Sequence, residues 1–311
     1  MNMYRTLLYY CYTSIDDAEA FAASHLEFCR SLDLKGRVIV APEGLNGTIS
    51  GTVEACDAYM KALRAEPRFA SIDFKADEVD TPSFVKMHVR HKPEIVHSGL
   101  RDPKIIDPRN KTGIHLDPVD FQRMKDRDDV VVLDVRSNYE HQLGQFRNAV
   151  TLDIENFRDF PEKINELAHL KDKKVITYCT GGIKCEKASA LLLQEGFQEV
   201  YQLKGGIIKY GKETDGRDFD GKCYVFDNRI AVDINRHNPS VISICRNCGK
   251  SSARMINCAN PECNEHFAQC EDCGWSMEGC CSDICQGHPR KRPYDGTGYY
   301  VKKTDYPAFS G

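Results

Sequence analysis

No apolar run in this 311-residue sequence approaches the ~18 residues that a membrane-spanning helix needs. The opening MNMYRTLLYYCYT also lacks the charged start, long apolar centre and small-residue cleavage site of a secretory signal. Both absences lead us to expect a cytoplasmic protein with no membrane partner. An excess of basic charge is missing too. With a formal net charge of −4, any contact with nucleic acid has to come from a local strip and not from the surface as a whole. No flavin, nicotinamide or redox-metal motif stands out. His115-Leu116-Asp117 has the H-x-D start of a non-haem iron site, but Pro118 and the run VDFQRM behind it make Asp117 a helix N-cap with proline at the first helical position.

The composition that is present, 41% hydrophobic and 28% charged, is that of a globular protein of about two domains and a small third. Its 15 cysteines are unevenly spread, nine of them between Cys245 and Cys285. A secreted disulfide scaffold is shorter and carries cysteines throughout, so these are read as reduced thiols.

Residues 1–83 run strand, helix, strand, strand, helix, strand, the βαββαβ order of a ferredoxin-like domain. Within it Asn46-Gly47 is the short-range signal of a hairpin turn. Residues 84–116 form a basic linker with seven Lys or Arg against three acids. Alternation in FVKMHVR puts Lys86, His88 and Arg90 on one face of a possible strand. Lys86, Arg90 and Lys92, together with Lys187 further along the chain, are candidate phosphate contacts for RNA; the plain alternative for the strip is a solvated connector.

From 117 to 222 the pattern turns α/β. VVVLDVR and KVITYC are near-continuous apolar strands of the kind buried in a parallel sheet. ITYCTGGIKCEKA then holds the main chemical signal. Cys179 ends a strand, Thr180-Gly181-Gly182 lets successive N–H groups turn toward one point, and a helix begins behind them with Lys184 and Lys187 nearby. Such a nest favours an anion and so lowers a thiol pKa. The structural alternative is a buried cysteine beside a glycine turn.

From 223 to 311 comes a cysteine-rich module with a basic, aromatic tail that is a further candidate for RNA contact. Two C-x-x-C pairs with two cysteines between them and a third cluster behind point to thiolate-bound zinc, about two structural ions. An interleaved arrangement joins Cys245, Cys248, Cys270 and Cys273 at one metal. Cys258, Cys263, Cys285 and either Cys280 or Cys281 make the other, with His266 as a possible replacement ligand.

LDVRSNYEHQLGQFRNAV, YCTGGIKCEKASALLLQEGF and YQLKGGIIKY together resemble the rhodanese domain, whose six-residue active-site loop starts at the nucleophilic cysteine. Cys179 takes that place and Lys184 is the sixth residue. EGLNGTISG, the TPSF-K linker, CTGGI-CEKA and the cysteine-rich tail, in this order, more specifically resemble the bacterial oxygen-dependent tRNA uridine hydroxylases. That resemblance implies formation of 5-hydroxyuridine at the tRNA wobble position, with molecular oxygen as co-substrate and tRNA as partner. It implies Cys179 as nucleophile, assisted by Lys184, while Cys185 is a candidate to resolve an oxidised or persulfidated Cys179. Asp134, Arg136 and Glu140 match the rhodanese strand signature and are expected to brace the loop as a buried charge cluster. Two departures stand out. Lys184 replaces the usual arginine, keeping the charge and losing the guanidinium fork. Gly144-Gln145-Phe146-Arg147-Asn148-Ala149 replaces the usual G-H-I-P-G-A, which counts against ordinary sulfur transfer. A persulfide-carrying sulfurtransferase and a non-catalytic binding module remain the alternative readings.

Overall fold

The computed structural model describes residues 3–100 and 106–298. Arg101 and Lys104 of the basic strip, and the tail from position 299, lie outside the described residues.

The N-terminal unit contains β1 (Tyr4–Tyr12), α1 (Ala18–Ser31), β2 (Lys35–Ala41), β3 (Gly44–Thr52), α2 (Val53–Ala65), β4 (Lys75–Val79) and β5 (Met87–His91). Its sheet runs β4-β1-β3-β2-β5, antiparallel except for the parallel β2–β5 edge. Strand alternation divides the faces. Leu7 and Tyr9 point into the core with Cys29 and Tyr59 of the two helices. Leu8, between them in β1, joins the core of the next domain instead. Across the β1–β4 ladder Leu8 stands opposite Lys75, and Thr6 opposite Asp77, so these four side chains share the outward face. Helix α2 starts where the Thr52 hydroxyl accepts the Ala55 N–H at 3.2 Å.

Part of the basic strip belongs to this sheet. Met87 and Val89 pack against its core, which turns Lys86, His88 and Arg90 outward. The hairpin turn falls at Pro42-Glu43, where Ala41 pairs with Gly44, and Asn46-Gly47 lie inside β3. Glycine at 47 answers a different need: a Cβ there would sit 2.3 Å from the Tyr9 hydroxyl. Asn46 donates its side-chain amide to the Ile95 carbonyl at 2.9 Å.

The second unit contains β6 (Ile114–Leu116), α3 (Pro118–Met124), β7 (Val130–Asp134), α4 (Asn138–Leu143), β8 (Gly144–Phe146), α5 (Phe160–Lys163), β9 (Lys174–Tyr178), α6 (Ile183–Gln194), β10 (Glu199–Leu203), α7 (Gly206–Thr214), β11 (Phe219–Tyr224) and β12 (Ala231–Asp233). Four parallel strands in the order β6-β10-β9-β7 form its sheet. Both faces are covered, which is why the strands read as apolar runs. On β9, Val175 joins the cluster containing α6, whereas Ile176 joins the one containing α3 and α7. Asp117 caps α3 by position, with Pro118 at its start, although its side chain makes no capping hydrogen bond.

The third unit has the two-stranded sheet of β13 (Met255–Asn257) and β14 (His266–Ala268), with short helices α8 (Glu271–Ser276) and α9 (Asp283–Gln286). Four of the seven residues in its small core are cysteines. So little apolar surface does not hold a fold of this size without a further staple.

Candidate active site and metal centres

Strand β9 delivers Cys179 to the end of the parallel sheet and α6 begins at Ile183, four residues on. Gly182 closes the turn at φ +98°, a left-handed conformation that favours glycine. Its N–H donates to the Cys179 Sγ at 3.1 Å, and the backbone N–H groups of Lys184 and Cys185 also serve the sulfur. Burial alone would raise the Cys179 pKa. The Cys185 thiol, the Lys184 charge and these amides outweigh it and lower the value to about 7. Burial and the adjacent Cys179 thiolate push Cys185 the opposite way, well above the usual thiol range. Cys185 therefore stays protonated at neutral pH and acts as the donor of the pair. It is the third residue of α6, and its side chain is fully buried.

The loop is braced from below by buried charge. Arg136 forms a two-pronged pair with Asp134, at 2.9 and 2.6 Å, and donates to the carbonyls of Glu140 and Gly144. All three charged side chains, Asp134, Arg136 and Glu140, are wholly buried. Glu140 accepts the Ser137 N–H at the start of α4 and takes the Lys184 ammonium on the same oxygen. Lys184 also lies 5.6 Å from the centre of the Phe226 ring. Its charge thus faces the loop while one carboxylate holds it in place.

The glycines serve a purpose that the sequence did not disclose. A Cβ on Gly181 would sit 2.9 Å from a methyl of Leu8, and one on Gly182 would sit 3.0 Å from the Tyr10 hydroxyl. The outward face of β1 therefore lies directly on the loop, and Cys179 is only 1% exposed. Leu8, Lys75, Thr180 and Phe226 line a narrow cavity of about 20 Å³ beside it, room for about one water. With its sulfur this deeply buried, Cys179 meets a nucleobase only after side chains around the loop move.

Lys187, expected to meet RNA, is instead buried at 1% exposure. Its ammonium lies 2.8 Å from both Glu43 and Glu94 and ties α6 to the N-terminal unit. Tyr10 adds to this seam by donating to Glu186 at 2.9 Å, and Glu186 also pairs with His115 at 2.9 Å. Lys86, Arg90 and Lys92 are all exposed, far along the chain from the loop. Lys75, Tyr10 and Phe226 were missed as site residues. The available signal was the alternation of FKADEV, which sets Lys75 on the face opposite the core-packed Phe74 and Ala76.

The cysteine-rich unit gathers two sets of four thiols, Cys245, Cys248, Cys270 and Cys273, then Cys258, Cys263, Cys281 and Cys285. Within each set the sulfur atoms all lie within 4.8 Å of one another. A tetrahedron of ~2.3 Å zinc–sulfur bonds has edges of about 3.8 Å. The separations of Cys248 from Cys270 (3.7 Å), Cys263 from Cys281 (3.7 Å) and Cys281 from Cys285 (3.6 Å) fit it. Cys280 belongs to neither set: it is buried in the small core with its thiol on the Glu278 carbonyl. His266 is no ligand either, because its ring packs between Tyr139 and Tyr224.

Fold and site together define a rhodanese-type domain with a cysteine at the head of its loop, joined to an acylphosphatase-like domain and a cysteine-rich module. The Rhodanese-like domain family matches residues 117–213, the UPF0176 acylphosphatase-like domain residues 4–95, and the Rhodanase C-terminal family residues 220–286. The tRNA uridine(34) hydroxylase of Cytophaga hutchinsonii is 61% identical over 303 residues, 97% of this chain and 96% of that protein. Proteins of the same name from Staphylococcus saprophyticus and Bacillus mycoides are 50% and 48% identical, over 96% and 93% of this chain and 93% and 91% of their own lengths. The chain belongs to the tRNA uridine(34) hydroxylase family.

Proposed function

We propose that this protein hydroxylates C5 of uridine 34 in tRNA, with Cys179 as the nucleophile and dioxygen as the oxygen source. The observation that carries this reading is a thiol lowered to about 7 in a nest of backbone N–H groups, in a chain 61% identical over nearly its whole length to a tRNA uridine(34) hydroxylase. Uracil is a Michael acceptor. Addition of the thiolate to C6 makes C5 enolate-like and able to react with dioxygen. One oxygen atom enters at C5 and the other leaves as water, with two electrons and two protons drawn from an external reductant. Loss of the C5 hydrogen as a proton and departure of the thiolate restore the ring.

Several groups of the loop have a part in this scheme. Cys185 and the Gly182, Lys184 and Cys185 amides hold the thiolate, and Lys184 adds positive charge anchored on Glu140. Lys86, Arg90 and Lys92 supply phosphate contacts for the tRNA. Zinc fits the two four-cysteine sets in a structural role, since four thiolates leave no open coordination position. We assign the ferredoxin-like domain to residues 1–91 with β5 as its edge strand, the basic linker to 92–113, the rhodanese-like domain to 114–233 and the zinc module to the chain from 234 on. The proposed setting is the cytoplasm. Nucleoside analysis of tRNA from cells with and without the protein tests the function: 5-hydroxyuridine is lost with the protein, and unchanged levels in a strain with no second route to it contradict the reading.

A further inference from the structure

Lys75 is buried at 7% exposure on the outward face of β4. Its neighbours compensate it poorly. Among the described residues its ion pair is with Asp73 at 3.5 Å, and that carboxylate is 55% exposed. Its Nζ also sits 4.9 Å from the centre of the Tyr10 ring, whose hydroxyl packs on Gly182 of the thiol loop. A buried ammonium with one long ion pair is costly unless an anion faces it. The anion to hand is on the reacting side: Lys75 lines the same narrow cavity as Thr180, the residue after Cys179, and the Cys179 thiolate favours its charged form. Burial pulls the other way and, with a smaller push from Lys209, leaves the lysine pKa below its usual value.

We propose that Lys75, supplied by the N-terminal domain, is a further catalytic residue, whose ammonium donates to O4 of the uracil while Cys179 adds to C6. The proposal rests on the nucleophile reading above. As the sulfur–C6 bond forms, the C5=C6 π pair moves toward C4 and leaves negative charge on O4. A cation already positioned there stabilises the charge without reorganising, the arrangement that gives oxyanion donors their effect. This reading also gives the N-terminal domain a chemical role. The rhodanese-type domain carries the nucleophile, the other domain carries the electrophile's partner, and the site is complete only when the two faces meet.

Steady-state hydroxylation of tRNA by the full-length protein tests this with Lys75→Met, Lys75→Arg and Cys179→Ser, alongside thermal melts of each. Lys75→Met is expected to lower kcat about 100-fold or more, with KM for tRNA within about threefold, and Lys75→Arg to restore part of the loss. In the wild type kcat falls on the alkaline side as the ammonium deprotonates, and that limb is absent from Lys75→Met. The titratable and charged groups around Lys75 are Asp73 just before β4, Asp77 on β4, Tyr10 on β1, Lys209 on α7, Cys179 on the loop, and Asp227 and Arg229 across the cavity; the limb is assigned to Lys75 only because it disappears with it. A kcat within about threefold of wild type for Lys75→Met, with Cys179→Ser inactive, overturns the role of Lys75 alone. So does a loss confined to KM, which marks a phosphate contact, or a loss that follows the melting temperature in both lysine variants. Full activity in Cys179→Ser overturns the nucleophile reading itself.

Discussion

The buried thiols of Cys179 and Cys185 drive each other apart in acidity: Cys179 falls to about 7 while Cys185 rises well above the ordinary thiol range. Helix α6 makes this possible. Its first turn carries Cys185 back over the loop, so the second cysteine acts as part of the nest that holds the first. As a donor Cys185 has work that serine can share and alanine cannot.

Alkylation of Cys179 by iodoacetamide, followed by peptide mass spectrometry across pH, reads this pair directly. The thiolate fraction rises with pH, so the rate should climb with a midpoint near 7. Removing the donor in Cys185→Ala should move the midpoint up by about one unit, the worth of one hydrogen bond to a charged group. An unmoved midpoint excludes the hydrogen bond as a cause. The same sign governs stability. A depressed folded-state pKa stabilises the fold fully above the unfolded thiol value near 9, and that contribution is lost as pH falls through about 7.

Lys187 should behave as a structural residue. Breaking a buried ion pair by removing one partner costs about 3–5 kcal/mol. Lys187→Met, which strands Glu43 and Glu94, should therefore lower the denaturation midpoint strongly and leave the salt dependence of tRNA binding as it was. A flatter salt slope at unchanged stability would return Lys187 to the RNA surface.

The exposed strip should do the opposite. Lys86→Glu, Arg90→Glu and Lys92→Glu together should weaken tRNA binding and reduce the slope of log K against log salt by up to about 2, since each lost phosphate contact removes ~0.7. Little change in stability is expected, because these side chains point away from the core. Unaltered affinity and slope would make the strip a connector.

Metal analysis separates the spare cysteine from the ligands. Protein purified without chelators should carry about two zinc equivalents. Cys281→Ser should lose about one of them and Cys280→Ser none. Stripping the metal should unfold the module, since its core has little else to hold it. Loss of zinc from Cys280→Ser with retention in Cys281→Ser would reverse the assignment.

What the sequence disclosed follows the range of the forces involved. The four-cysteine groupings were legible because ligand spacing is a local constraint, yet Cys280 and Cys281 are adjacent and only the path of the chain into α9 chooses between them. The strand, nest and helix at Cys179 were legible for the same reason: glycines and apolar strands act within a few residues. Asn46-Gly47 misled because its glycine answers the Tyr9 ring across the sheet rather than a turn. The burial of Lys75 and Lys187 was opaque. A lysine on a strand or helix normally faces water, and only the docking of one domain face on another shows that both are buried.

The central claim is that the Cys179 thiolate makes the carbon nucleophile that dioxygen attacks. Mass spectrometry of tRNA nucleosides, after reaction of wild type and Cys179→Ser under oxygen-18-labelled dioxygen, tests it most directly. The account predicts labelled 5-hydroxyuridine at position 34 from the wild type and none from Cys179→Ser, with tRNA binding kept, because serine provides no alkoxide near pH 7 where a nested thiolate is available. Undiminished product from Cys179→Ser would contradict covalent catalysis, and unlabelled product from the wild type would contradict oxygenation by dioxygen.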